Sequence, residues 1–131
     1  FEQDTLARLH LVGRTLAGAR TSHGGRVITS IVRQADIKES AATPHDTEDL
    51  INMTLVVKGT EVAVILIEQP DGRIKVSFRS RSPVDCSALA GRFGGGGHKA
   101  AAGAILDGPF DAAHERVRVA VDEAVTAASP G

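Results

Sequence analysis

A chain of 131 residues and 13.6 kDa fits one compact domain with a real core and is short for two. Hydrophobic residues at 42% and charged residues at 24% sit near globular averages, which excludes disordered and fibrous chains. Aromatics are only 3%, with no Trp and no Tyr, so base-stacking platforms are poorly supplied, and the formal charge of -1 hides a basic stretch. From Arg73 to Lys99 six cations (Arg73, Lys75, Arg79, Arg81, Arg92, Lys99) face one acid, Asp85, a net of +5 against -6 for the rest. Such an imbalance suits either a docking place for a phosphorylated ligand or a plain solvated face.

In chain order, Leu6, Leu9, Val12 and Leu16 recur at helical spacing and predict a leading helix over 5–16. His23-Gly24-Gly25 reads as a turn, and Arg26 to Ile31 as a short strand of branched residues. A single helical turn fits Gln34 to Glu39. Asp46 can cap a following helix by accepting from the amide near Asp49, with Leu50, Met53, Thr54 and Val57 inward. The cap also accounts for the pair His45-Asp46 without metal chemistry. Val62 to Ile67 is a continuous apolar run, too short for a good helix, and predicts a central strand buried on both sides.

Pro70-Asp71-Gly72 turns the chain back into a strand from Arg73 to Arg81. Here Ile74, Val76 and Phe78 point one way and Lys75, Ser77 and Arg79 the other, with Arg73 and Arg81 on the polar face. Val84 to Phe93 reads as a helix stopped by Gly94, and Gly103 to Leu106 as a strand. Pro109 starts a last helix with Phe110, Val117, Val121 and Ala124 in one stripe, and Ser129-Pro130-Gly131 is expected to fray. The fold class expected is α/β: one compact domain with a mixed β-sheet and helices packed on it.

The run Gly94-Gly95-Gly96-Gly97-His98 removes every side chain from four residues, so a ligand can approach the amides and several N–H groups can converge on one anion. A flexible linker is the bland alternative, normally longer and Ser-containing. His98 offers two ring nitrogens as a ligand contact, then as a structural hydrogen bonder, and last as a metal ligand. A metal role lacks partners: no Asp, Glu or Cys lies between Phe93 and Ile105, and His10, His23, His45 and His114 are scattered. No Walker loop, dinucleotide fingerprint or nucleophile elbow is present. The lone Cys86 excludes an internal disulfide and reads as a small core residue.

Gly95-Gly96-Gly97-His98-Lys99-Ala100-Ala101-Ala102-Gly103 matches the Gly-Gly-Gly-His-x-x-Ala-Ala-Gly motif of the DHH-associated domain, the C-terminal domain of DHH-family phosphoesterases of the oligoribonuclease and phosphoadenosine-phosphate phosphatase group. Val76 to Ser80 resembles the strand before that motif, and Asp46 to Asn52 the capped helix; the resemblance runs from about Val27 to Leu106. It implies a leading helix and connection over 1–24, a substrate-binding domain over 25–128 and a frayed tail over 129–131. It also implies that Gly95, Gly96, Gly97 and His98 hold phosphate or nucleotide, assisted by Arg79 and Ser80. Arg81 joins them on the strand pattern alone.

No Asp-His-His motif appears, so no cofactor is expected in this chain and the family's manganese belongs in a separate DHH catalytic domain, expected in cis. The expected partners are a short oligonucleotide or phosphorylated nucleotide and that catalytic domain, with a homodimer left open. A non-catalytic nucleic-acid-binding module, like the similar domain appended to alanyl-tRNA synthetase, is the alternative. Phe1 in place of Met points to a longer parent. With no signal pattern and no apolar span of membrane length, a cytoplasmic protein without membrane contact is expected.

Overall fold

The computed structural model describes residues 6–40 and 50–128. Helix α1 (Leu6–Ala17) leads into strand β1 (Arg20–Ser22), a 3-10 turn (His23–Gly25) and strand β2 (Val27–Val32). Helices α2 (Gln34–Ser40) and α3 (Leu50–Leu55) precede the hairpin β3 (Val62–Glu68) and β4 (Ile74–Ser80). Helix α4 (Cys86–Gly91), strands β5 (Gly96–His98) and β6 (Ala101–Leu106) and helix α5 (Phe110–Ala128) complete the domain. The strands form one sheet in the order β1-β2-β3-β4-β6-β5. Among the described strands only β2 and β3 pair in parallel, so the sheet is mixed, as expected.

Because side chains alternate across a strand, each strand contributes to two layers. On one face Val64, Leu66, Val76, Phe78, Ala102 and Ala104 pack under α4 and α5, whose Leu89, Phe110, Val117, Val121 and Val125 are buried. On the other, Ile28, Val32, Ala63, Ile65 and Ile67 meet Leu11 of α1, Ile37 of α2, and Leu50 and Ile51 of α3. β3 touches both layers, and six of its seven residues are buried, which is why Val62 to Ile67 carries no polar alternation. Phe78 is the largest fully buried side chain among the described residues; truncating such a residue costs about 3–5 kcal/mol.

Several expectations shift on contact with the structure. Leu6, Leu9 and Leu16 of α1 are 67%, 51% and 40% exposed, while Leu11 and Thr15, one turn apart, dock on the sheet. Helical spacing detects the helix but does not say which of its two stripes is covered. In α3 the buried set is Leu50, Ile51 and Thr54; Met53 is on the outer side and Val57 lies past the helix end. β1 is exposed at all three residues, so no apolar alternation announces it. The helix expected to reach Phe93 stops at Gly91. Asp46, its proposed capping role and the tail 129–131 lie outside the described residues.

Candidate ligand-binding face

Helices α1 to α3 pack over β2 and β3 and reach the near side of β4; among the described residues no helix covers the β4-β6-β5 half of that face. The residues pointing there are those skipped by the α4/α5 core: Lys75, Ser77 and Arg79 of β4, and Ala101, Gly103 and Ile105 of β6. Strand register then decides which residues share a row. Arg79 pairs with Ala101, which pairs with His98; Ser77 pairs with Gly103, which pairs with Gly96; Lys75 pairs with Ile105. Arg79 and His98 therefore flank a floor of one methyl group, two strand spacings or about 10 Å apart at the backbone. Ser77, Gly103 and Gly96 extend that floor without bulk.

The glycine run is not a loose loop. Gly96 to His98 form the sheet's edge strand β5, whose outer edge pairs with no described strand. Every other backbone N–H and C=O of an edge strand points outward and unpaired. The hairpin turn at Lys99 and Ala100 is pinned from two sides: Cys86 N–H donates to the Lys99 carbonyl at 2.8 Å and Ser80 N–H to the Ala100 carbonyl at 3.0 Å. On entry to β5, Gly95 N–H donates to the Ala90 carbonyl of α4 at 3.0 Å. The Asp85 carboxylate caps α4, accepting from the amides of Ser87 and Ala88 at 2.9 and 3.2 Å, a role that the sequence signals by an Asp just ahead of the helix.

Close approach explains two of the glycines. A Cβ on Gly95 would collide with the Gly103 carbonyl and lie 2.6 Å from Ala104 Cβ. One on Gly97, which has φ +148°, would lie 2.6 Å from Ala102 Cα. Ala102 and Ala104 are small for the complementary reason, and the segment 101–104 packs directly against β5 as a strand that begins two residues earlier than Gly103.

The remaining expected site residues fall differently. Ser80 continues the buried series Ile74, Val76 and Phe78, is 7% exposed, and its Oγ lies 3.1 Å from Ser82 Oγ; its side chain is away from the Arg79–His98 row. Arg81 lies past the strand end, and its guanidinium donates to the Leu55 carbonyl at the end of α3, bordering the open face. The Asp71 carboxylate accepts from the Arg73 backbone N–H at 3.0 Å and from its guanidinium at 2.8 Å, and these bonds hold that carboxyl below the usual range. Arg79 is half-buried and donates to the Phe78 carbonyl at 3.0 Å. Sequence reasoning passed over Ile105, 52% exposed beside Lys75; strand parity from Gly103 would have found it.

Behind the face, burial pushes the Cys86 thiol up to about 11, with the Arg79 charge acting against the rise and Asp85 adding to it. Fully buried and protonated, Cys86 is a packing residue. Among the described residues no three His, Cys, Asp or Glu side chains converge as a metal site. No described helix is long and apolar enough to cross a membrane.

Comparison with known proteins places the motif in its context: residues 24–127 match the DHHA1 domain. The chain belongs to the DHHA1 family. Over 119 residues this DHHA1 domain is 39% identical to the bifunctional oligoribonuclease and PAP phosphatase NrnA of Thermus thermophilus, covering 90% of this chain and 35% of that protein. A solved exopolyphosphatase-related protein from Bacteroides fragilis superposes with a TM-score of 0.85 at 24% identity, over 92% of this chain and 36% of the other. The pGpG-specific phosphodiesterase PggH of Vibrio cholerae shares the fold at a TM-score of 0.63 and 13% identity, over 94% and 40% of the two chains. The DHHA1 domain thus spans about a third of the length of the curated relative.

Proposed function

We propose that this DHHA1 domain is the substrate-gripping half of a DHH-type phosphoesterase, binding the phosphate of a short oligonucleotide or phosphorylated nucleotide on the open β4-β6-β5 face. The observation that carries the reading is the row Arg79–Ala101–His98 beside an edge strand of glycines. A phosphate seated over Ala101 would be reached by the Arg79 guanidinium from one side and the His98 imidazole from the other. Outward amides of β5 would add further donors. Charge-assisted donors on rigid strands hold an anion with little ordering cost, which suits positioning of a scissile phosphate.

The chemical step belongs, in this reading, to a DHH catalytic domain facing the row across a cleft, where manganese would supply an activated water. Residues of this chain bind and orient only. Ser80 contributes by fixing the strand end, and Arg81 by neutralising charge at the border with α3. The NrnA resemblance favours oligoribonucleotides or adenosine bisphosphate as the ligand class.

Calorimetric titration of the isolated domain with a 5'-phosphorylated dinucleotide and with adenosine bisphosphate tests this. His98→Ala and Arg79→Ala are each expected to weaken binding by about 1.5–3 kcal/mol, or roughly 10- to 150-fold. Arg73→Ala, whose guanidinium is tied to Asp71 at the far turn, should leave affinity unchanged. Wild-type affinity in both His98→Ala and Arg79→Ala rejects the site. Hydrolysis by the domain alone with added manganese would reject the division of labour. Preferential competition by a structured RNA would replace substrate gripping with RNA docking.

A further inference from the structure

A second concavity lies on the other side of the sheet, between α5 and strands β2 and β3, with a volume of about 120 Å³. Its floor is made of four buried valines, Val27, Val64, Val117 and Val121. Its mouth is closed on one side by His23, whose Nε2 lies 2.8 Å from Asp122 Oδ1 and whose Nδ1 lies 3.3 Å from Ser22 Oγ. His114 lines the same opening, its ring stacked at a tilt 6.1 Å from that of Phe110.

His23 is held there at a conformational cost. Among the described residues it is the one non-glycine in the left-handed region, with φ +53°, although glycines follow at once at 24 and 25. A glycine would take that backbone without strain; histidine there is explained by where its ring goes, across to Asp122 on α5, 99 residues away in sequence. The pair bridges the 3-10 turn to the helix over an apolar space.

We propose that this cavity is a ligand site for a single six-membered heteroaromatic ring carrying an amino group, of the aminopyrimidine class. Three features select that chemistry. The cavity of about 120 Å³ is close in size to apolar cavities of about 150 Å³ that accept benzene, so one planar ring fits against the four valines, with polar groups around its edge. The Asp122 carboxylate, with one oxygen toward His23, retains acceptor capacity for an amino group, and the His114 imidazole can donate to a ring nitrogen or carbonyl. The volume leaves no room for ribose or phosphate beneath the rim, so a sugar would project to solvent. The site is independent of the Arg79–His98 row, which lies on the opposite face of the sheet.

The test is a cytosine titration of the isolated domain labelled at valine methyl groups and followed by NMR, with benzene and uracil as comparisons. The Val27, Val64, Val117 and Val121 methyls should shift together and saturate in the millimolar range, while Val84 by α4 stays fixed. Asp122→Ala also releases His23, so its fold is checked first by the ligand-free methyl spectrum; in the folded variant cytosine is expected to weaken about tenfold and benzene to be unchanged. His98→Ala should leave all of it intact, which separates this site from the phosphate face. Absence of valine shifts in the wild-type protein overturns the proposal, as does equal binding of cytosine and benzene that survives Asp122→Ala. Binding that persists in a folded Val121→Phe variant, where the ring fills the cavity, overturns it as well.

Discussion

Strands β3 and β4 are hydrogen-bonded neighbours of seven residues each, and they meet different fates. β3 is covered on both faces, by α4 and α5 below and by α1 to α3 above. β4 shares the lower cover, but α3 reaches only its near side, and Lys75, Ser77 and Arg79 stay at the surface. The comparison separates two uses of one sheet: where helices close the second face, the strand is scaffold; where they stop short, the same scaffold presents polar side chains on a rigid, half-buried strand. The face proposed for binding is the part of the sheet that the described helices leave open.

The sharpest way to break this contrast is to shorten one residue on each side of the boundary. Ile65 and Ser77 are paired across β3 and β4 and point to the same face, but Ile65 is 2% exposed beneath the upper helices. Ile65→Ala should lower unfolding free energy by about 2–5 kcal/mol, whereas Ser77→Ala should stay within about 0.5 kcal/mol. Urea unfolding of both variants measures the difference, and comparable losses would mean that the β4 half is covered too.

On the open side, the largest structural sensitivity should sit at Gly97. Gly97→Ala combines a positive φ with a Cβ 2.6 Å from Ala102 Cα, for an expected loss of about 1–3 kcal/mol. Its nucleotide affinity should fall as well, because β5 must move off β6 to relieve the contact. Retained stability would show that β5 is a loose loop after all. Asp85→Ala removes the two amide contacts that cap α4, at an expected cost of about 1 kcal/mol in thermal unfolding.

The central strand, the alternating strand and the last helix were legible because each carries a strong period: a continuous apolar run, an alternation of two, and a stripe at Phe110, Val117 and Val121. The β5 strand was not, because glycines have no side chains with which to display a period, and its pairing with β6 is a tertiary fact. The orientation of α1 was illegible for another reason, since it presents apolar residues on two sides. The face to which Arg79 points was legible from strand parity, and the position of His98 after the glycines was plain in the motif. Their common row was not, because it depends on the register of three strands, two of them brought together by the Lys99-Ala100 turn.

The covered layer can be sharpened by its one titratable thiol. Burial holds Cys86 protonated up to about pH 11, against about 9 for a free thiol, so the unfolded chain releases that proton first as pH rises. The corresponding stability is fully present below the unfolded value and is lost progressively above pH 9, levelling off beyond about 11. At pH 9.5 the loss should be just under about 1 kcal/mol, and Cys86→Ala should flatten the stability profile between pH 8 and 10 relative to wild type. Native Cys86 should also resist iodoacetamide at pH 8 and react on unfolding, because the thiolate is the nucleophile and the thiol is fully buried. Rapid native alkylation would mean that α4 lifts from β4 and β6, and that the lower face, too, is only intermittently closed.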